Sequence, residues 1–116
     1  MKATLTALAL AMAGLTGTSA AAQDQITFSG QEAAALKCAH MFTFTSVTMY
    51  QAGYIARRHS DMMLTWSYVI LNRYVSGTMD QRLAAMEIIG QRHGFQGTLE
   101  DFSTEAETCV RQFPVA

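Results

Sequence analysis

The chain has 116 residues, a formal net charge of -1, 50% hydrophobic residues and 15% charged residues. A chain of this length buries one modest core, which excludes two-domain enzymes, nucleotide-binding α/β folds and barrel enzymes. The low charge and high apolar fraction exclude a disordered chain. The absence of a basic patch argues against nucleic acid as a partner.

The first 22 residues have the three parts of a secretory signal peptide. Lys2 supplies the positive start, an apolar stretch runs from Leu5 to Leu15, and Ala20-Ala21-Ala22 matches the small-residue cleavage pattern. The apolar stretch is short and interrupted by glycine, so it does not suit a membrane span. We therefore predict a signal peptide over 1–22, a single helical domain over 23–116, and a bacterial periplasmic or secreted location without a membrane span.

Two cysteines, Cys38 and Cys109, remain after that cleavage. In an oxidising compartment the simplest interpretation is one disulfide between them. The bond would close a loop of about 70 residues. On the chain-entropy model, such a bond stabilises the folded state by about 4 kcal/mol. The alternative, a redox-active pair, usually has a C-x-x-C spacing that these cysteines lack.

The first helix of the mature chain has a clear start signal. Ser29 and Glu32 have the spacing of a capping box, which predicts a helix from Gly30. Apolar and small side chains then recur at three- and four-residue steps. The run Arg57-Arg58-His59 suits the negative end of a helix and predicts that the helix ends there.

One stretch within this helix has a second interpretation. Residues 42–48 alternate and are rich in β-branched and aromatic side chains, a composition that favours a strand. No turn signal precedes this stretch, and Gly53 is the first plausible break. We therefore prefer a long helix that is kinked or split near Gly53 and keep the strand as the alternative.

The rest of the chain predicts two or three further helices with short connections marked by glycine. The start signals are Ser60, Thr78 with Gln81, and Thr98; the stop signals are Gly77, Gly94 and Pro114. No repeated strand-turn-strand pattern occurs. The sequence therefore predicts an all-α protein, a small three- to four-helix bundle closed by one long-range disulfide.

The sequence contains no nucleophile elbow, phosphate loop or zinc-protease motif, so we predict a protein that is not an enzyme and has no cofactor. The first helix is apolar nearly all round, more than a small bundle covers. A covered central helix is one explanation. The other is a face for a homodimer or a protein partner, formed by Phe44, Val47, Tyr50 and Tyr54.

Copper handling is the alternative function. Imidazole and thioether groups suit Cu(I), and the chain offers four candidate ligands: His40, His59, Met62 and Met63. The simpler explanation is that the methionines fill the core and that His59 is a cation at a helix end.

The surroundings of the cysteines are Lys37-Cys38-Ala39 near the mature start and Thr108-Cys109-Val110 near the end. This layout resembles that of small secreted helical proteins of proteobacteria with a single long-range disulfide. Acid-stress periplasmic chaperones and immunity proteins against secreted toxins have a similar build. The resemblance implies a non-enzymatic binding or protective role, and it assigns no role to an individual residue.

Overall fold

The structure is a computed structural model that describes residues 26–115. Within that range the chain forms three helices and no strand: α1 (Gly30–Gln51), α2 (Arg57–Tyr74) and α3 (Met79–Gln112). A disulfide joins Cys38 to Cys109, which are separated by 71 positions. The predictions of an all-α bundle and of this long-range disulfide are confirmed. The predicted signal peptide lies outside the described residues.

The first helix begins where predicted and ends earlier. It is continuous through residues 42–48, so the helical interpretation of that stretch is correct. It ends at Gln51 because Gly53 adopts φ 81°, a left-handed conformation that suits glycine and turns the chain. The prediction that Arg57-Arg58-His59 would close this helix is wrong, since these residues form the first turn of α2.

The helix caps confirm the expected position at Thr78 and at Ser29, and they correct the expectations for Ser60 and Thr98. Thr78 forms a complete capping box with Gln81. Ser29 is the N-cap of α1, although its side chain makes no cap hydrogen bond. Ala56 rather than Ser60 is the N-cap of α2. Thr98 opens no helix, because it lies inside α3 and donates a hydrogen bond to the carbonyl oxygen of Gly94 over 2.8 Å.

Glu32 has a different partner from the one its spacing predicts. The backbone N–H of Ser76, in the loop between α2 and α3, donates to the Glu32 carboxylate over 2.7 Å. Hydrogen bonding from the side chain and the backbone N–H of Ser76 lowers the pKa of Glu32. This carboxylate therefore fastens the start of α1 to a loop distant in sequence, and it does not cap its own helix.

Gly94 interrupts α3 with φ 68° and ψ -179°, a conformation that is essentially restricted to glycine. Before the interruption, Gly90 lies against His40 of α1. After it, Thr98 again approaches His40, and Cys109 reaches back to Cys38. The chain therefore runs along α1 through residues 79–93 and returns along it through residues 95–112. The turn expected at Gly94 occurs, and the second segment starts directly after it.

The central element is α1, because α2 and α3 both pack against it and touch each other only weakly. Phe42 joins the two sides, with its ring 5.6 Å from that of Trp66 and 5.8 Å from that of Phe102. The largest fully buried apolar side chains are Leu36, Met41, Ile70 and Phe113. The interpretation of α1 as a covered central helix therefore holds for its N-terminal two-thirds.

Serine side chains hold α2 close to α1. Ser46 Oγ donates to the carbonyl oxygen of Ser60 over 2.8 Å and lies 2.6 Å from Ser60 Oγ. Ser67 Oγ donates to the carbonyl oxygen of Ala39 over 3.0 Å. All three serines are buried, so these bonds are protected from water. They fix an antiparallel register in which Ser46 faces Ser60 and Ala39 faces Ser67.

Candidate functional site

The C-terminal part of α1 and the start of α2 form a hairpin that extends past the turn of α3. Phe95, directly after Gly94, contacts Phe44 of α1 with ring centroids 5.5 Å apart. The bend of α3 therefore meets α1 at Phe44. We call residues 47–61, which lie beyond this level, the hairpin tip.

The structure places the predicted partner face largely on this hairpin tip. Val47 is 40% exposed, Tyr50 43% and Tyr54 75%. Phe44 is partly covered, since its ring also lies 5.9 Å from that of His40. Three of the four residues are thus accessible to a partner, and the fourth packs within the bundle.

Positive charge accompanies these aromatic side chains. Arg57, Arg58 and His59 form the first turn of α2, and Asp61 follows. Neither arginine side chain has an ion pair or hydrogen bond within the part of the chain that the structure describes. Cations at a helix N-terminus oppose the helix dipole, so a neighbouring anion would be favourable here.

A second surface lies on the opposite side of α1. An open groove of about 350 Å³ runs between the extended residues 26–28, α1 and the first segment of α3. We call it the α1–α3 groove. Its apolar walls are Ile26, Phe28, Ala33, Leu36, Ala84, Ala85, Ile88 and Ile89. Its basic lining residues are Lys37, Arg92 and His93.

The basic residues of the groove differ in their partners. Lys37 Nζ lies 3.1 Å from Glu105 and 3.8 Å from Asp101, and His93 Nδ1 lies 3.0 Å from Asp101. Arg92 has no such partner within residues 26–115. Among residues 26–115, no aspartate or glutamate lines the groove itself. Arg92 is therefore the cation that remains available to a bound anion.

His40 lies next to the groove, at the closest approach of α1 and α3. A Cβ atom added at Gly90 would lie 2.9 Å from His40 Cε1, so glycine permits this contact. The imidazole Nε2 is 3.5 Å from Thr98 Oγ1. Burial lowers the pKa of His40, and repulsion from His93 lowers it further.

The four candidate copper ligands do not form one cluster. His59, Met62 and Met63 lie within one turn of α2, where His59 and Met62 are exposed and Met63 packs on the core. The serine register places His40 roughly 10 Å along the helices from His59 and roughly 5 Å from Met63. The His40 ring lies on the side of α3, against Gly90. Among residues 26–115, no group of three or more His, Cys, Asp and Glu residues has the geometry to hold a metal ion.

Sequence reasoning did not find the α1–α3 groove. A possible signal was the stripe of small and apolar residues at helical spacing in α3, from Ala84 and Ala85 to Gly90, followed by Arg92. The ion pair of His93 with Asp101 was also missed, because Gly94 reverses the chain between the two residues.

No helix in the described range is both long and apolar enough to cross a lipid bilayer. Comparison of the chain with known protein families, curated proteins and solved structures found no match.

Proposed function

We propose that the chain is a non-enzymatic binding protein of the bacterial periplasm or the secreted fraction, and that it docks a partner protein through the hairpin tip. The observation that carries this proposal is the exposure of Tyr50 and Tyr54 beside Arg57 and Arg58, which have no ion-pair partner in the described part of the chain. Tyrosine and arginine are enriched among the residues that dominate the energetics of protein interfaces. The partner protein would be bound in a chaperone-like or immunity-like protective role.

The charge of the hairpin tip favours an acidic partner surface. An acidic surface would neutralise the first turn of α2 and accelerate association. A second copy of the chain would instead bring the same arginines together, and like charges across an interface are costly. We therefore propose a different protein, rather than a homodimer, as the occupant of this face.

The experiment compares two tip variants with two matched controls in capture from a periplasmic extract of the source cells. The tip variants are Tyr54→Ser and the double change Arg57→Gln/Arg58→Gln. The controls are Tyr68→Ser, at a tyrosine that is 59% exposed on α2 outside the tip, and Arg111→Gln. The captured protein is then purified and its Kd measured at two salt concentrations.

We expect the tip variants to weaken binding of that purified protein at least tenfold, about 1.4 kcal/mol, and the controls to retain it. The double arginine variant should also reduce the salt dependence of the Kd. Equal losses in the tip and control variants would contradict the proposal. So would concentration-dependent dimerisation in ultracentrifugation that the tip variants abolish, because a second copy would then occupy the face.

A further inference from the structure

The α1–α3 groove has the shape and chemistry of a ligand site that is separate from the hairpin tip. Its volume of about 350 Å³ lies within the range of about 300–1,000 Å³ usual for small-molecule pockets. The groove is long, since the stretch of α3 from Gln81 to Arg92 spans about 16 Å at the helical rise per residue. A slender molecule fits such a groove better than a compact one.

Small side chains keep the groove open. Ala33 on α1 faces Ala84 and Ala85 on α3, where larger side chains would fill the space between the helices. Towards Arg92 the helices approach each other again, because His40 packs against Gly90. The apolar walls therefore end near the basic residues and not in open solvent.

The edges of the groove remain apolar and exposed. Ile26 is 40% exposed and Ile88 38%, although both line the groove. Burying these side chains under an alkyl chain would be favourable by about 25 cal/mol for each Å² of apolar surface removed from water. The apolar part of a ligand therefore has a defined place beside them.

Charge defines the other end of the ligand. Within residues 26–115, the groove lining contains Lys37, Arg92 and His93 and no acidic side chain, and Arg92 has no ion-pair partner. A guanidinium binds a carboxylate through two parallel hydrogen bonds, which gives both strength and orientation. A molecule with one carboxylate and one unbranched apolar chain matches both ends.

We propose that the α1–α3 groove binds a free medium-chain carboxylate, with its carboxylate at Arg92 and its alkyl chain along Ala84, Ala85 and Ile88. This site does not depend on the hairpin tip. The ligand is a soluble amphipathic anion and not a lipid held in a bilayer, because the groove accommodates one slender chain.

The test uses isothermal titration of the mature protein with decanoate and with decanol as the neutral analogue. We expect decanoate to bind at least tenfold more tightly than decanol. Arg92→Gln should remove this preference and leave decanol binding unchanged, whereas the control Arg111→Gln should leave both unchanged. Ala85→Phe should fill the groove and abolish binding of both probes.

Two further measurements keep the outcome clear. Circular dichroism of Ala85→Phe establishes whether the helices persist, and Ala84→Leu is the milder change if they do not. Tyr54→Ser, in the hairpin tip, should bind decanoate normally, so failure of the tip proposal and failure of this one are distinguishable. Equal affinity for decanol and decanoate, decanoate binding that survives both groove-filling changes, or binding only to vesicles of anionic phospholipid would overturn the proposal.

Discussion

The two neighbours of α1 are held against it in contrasting ways. On the α2 side, buried serines join the helices by direct hydrogen bonds, and an open cavity of about 400 Å³ lies between the two helices at the hairpin tip. On the α3 side, the partner helix is bent by Gly94 and linked to α1 through a disulfide and ion pairs, and its first segment lines an open groove with α1. The contrast teaches that one helix can be joined to one neighbour by buried hydrogen bonds and to the other by a disulfide and ion pairs, with an open groove beside that second connection.

The largest expected effect concerns the covalent link on the α3 side. Cys38→Ser and Cys109→Ser should each reduce the free energy of unfolding by about 4 kcal/mol, because the bond restrains a loop defined by a separation of 71 positions in the unfolded chain. The double variant should be no less stable than either single variant. Denaturant unfolding measures these values, and clearly additive losses would show that the link contributes in some other way.

The next effect tests whether the bend of α3 depends on Gly94. Gly94→Ala should destabilise the fold by about 1 to 3 kcal/mol, since an alanine is strained at φ 68° and ψ -179°. Gly97→Ala is the matched control, because its Cβ would lie at an ordinary 3.7 Å from the nearest side-chain atom. That change should stabilise the helix by up to about 1 kcal/mol. Thermal unfolding that ranked the two variants in the opposite order would exclude this account of the bend.

A smaller effect is expected on the α2 side, and it differs in sign between two neighbouring hydroxyl groups. Ser46→Ala should lower the free energy of unfolding by about 1 to 2 kcal/mol because it removes buried hydrogen bonds to Ser60. Thr45 is buried, and its hydroxyl has no hydrogen-bond partner within residues 26–115. Thr45→Val should therefore stabilise the protein by about 1 kcal/mol. Equilibrium unfolding in urea measures both, and losses in both variants would mean that side-chain shape matters more than hydrogen bonding here.

The smallest expected effect is a dependence of stability on pH, caused by His40 where α1 contacts α3. The pKa of His40 is lowered in the folded state, so the unfolded chain binds more protons as the pH falls below about 6.5. Stability should therefore be highest above that pH and decline as the pH falls towards the lowered value. The charged group that acts on His40 is His93, which is itself 3.0 Å from Asp101. The decline in Tm between pH 7.5 and 5.5 should be shallower in His40→Gln. If Tm declined equally in the variant, other titrating groups would cause the pH dependence of stability.

Local signals in the sequence predicted the elements well where the cause is local. Residue chemistry at short range predicts the capping box at Thr78 and the turns at Gly53 and Gly94. The cysteine count predicts the pairing of Cys38 with Cys109. Ser60 shows where such reasoning fails. A serine near a helix start can cap the helix or can bond to another helix, and only the packing against Ser46 decides between them.

The two candidate sites also differ in how far the sequence predicts them. The hairpin tip could be predicted in part, because the surplus of apolar side chains at Val47, Tyr50 and Tyr54 is visible in the sequence. The groove could not be predicted, because its walls come from segments far apart in the chain. Their alignment depends on the direction in which α3 crosses α1, which no local pattern specifies.

The position of the disulfide has a consequence for the groove. Cys38 directly follows Lys37, so the bond that anchors the last turn of α3 also fixes one edge of the groove. Gly94 fixes the return of the chain in the middle of α3, directly after Arg92 and His93 of the groove lining. A ligand that enters the groove thus meets walls that are already ordered, and its binding requires little further loss of conformational entropy.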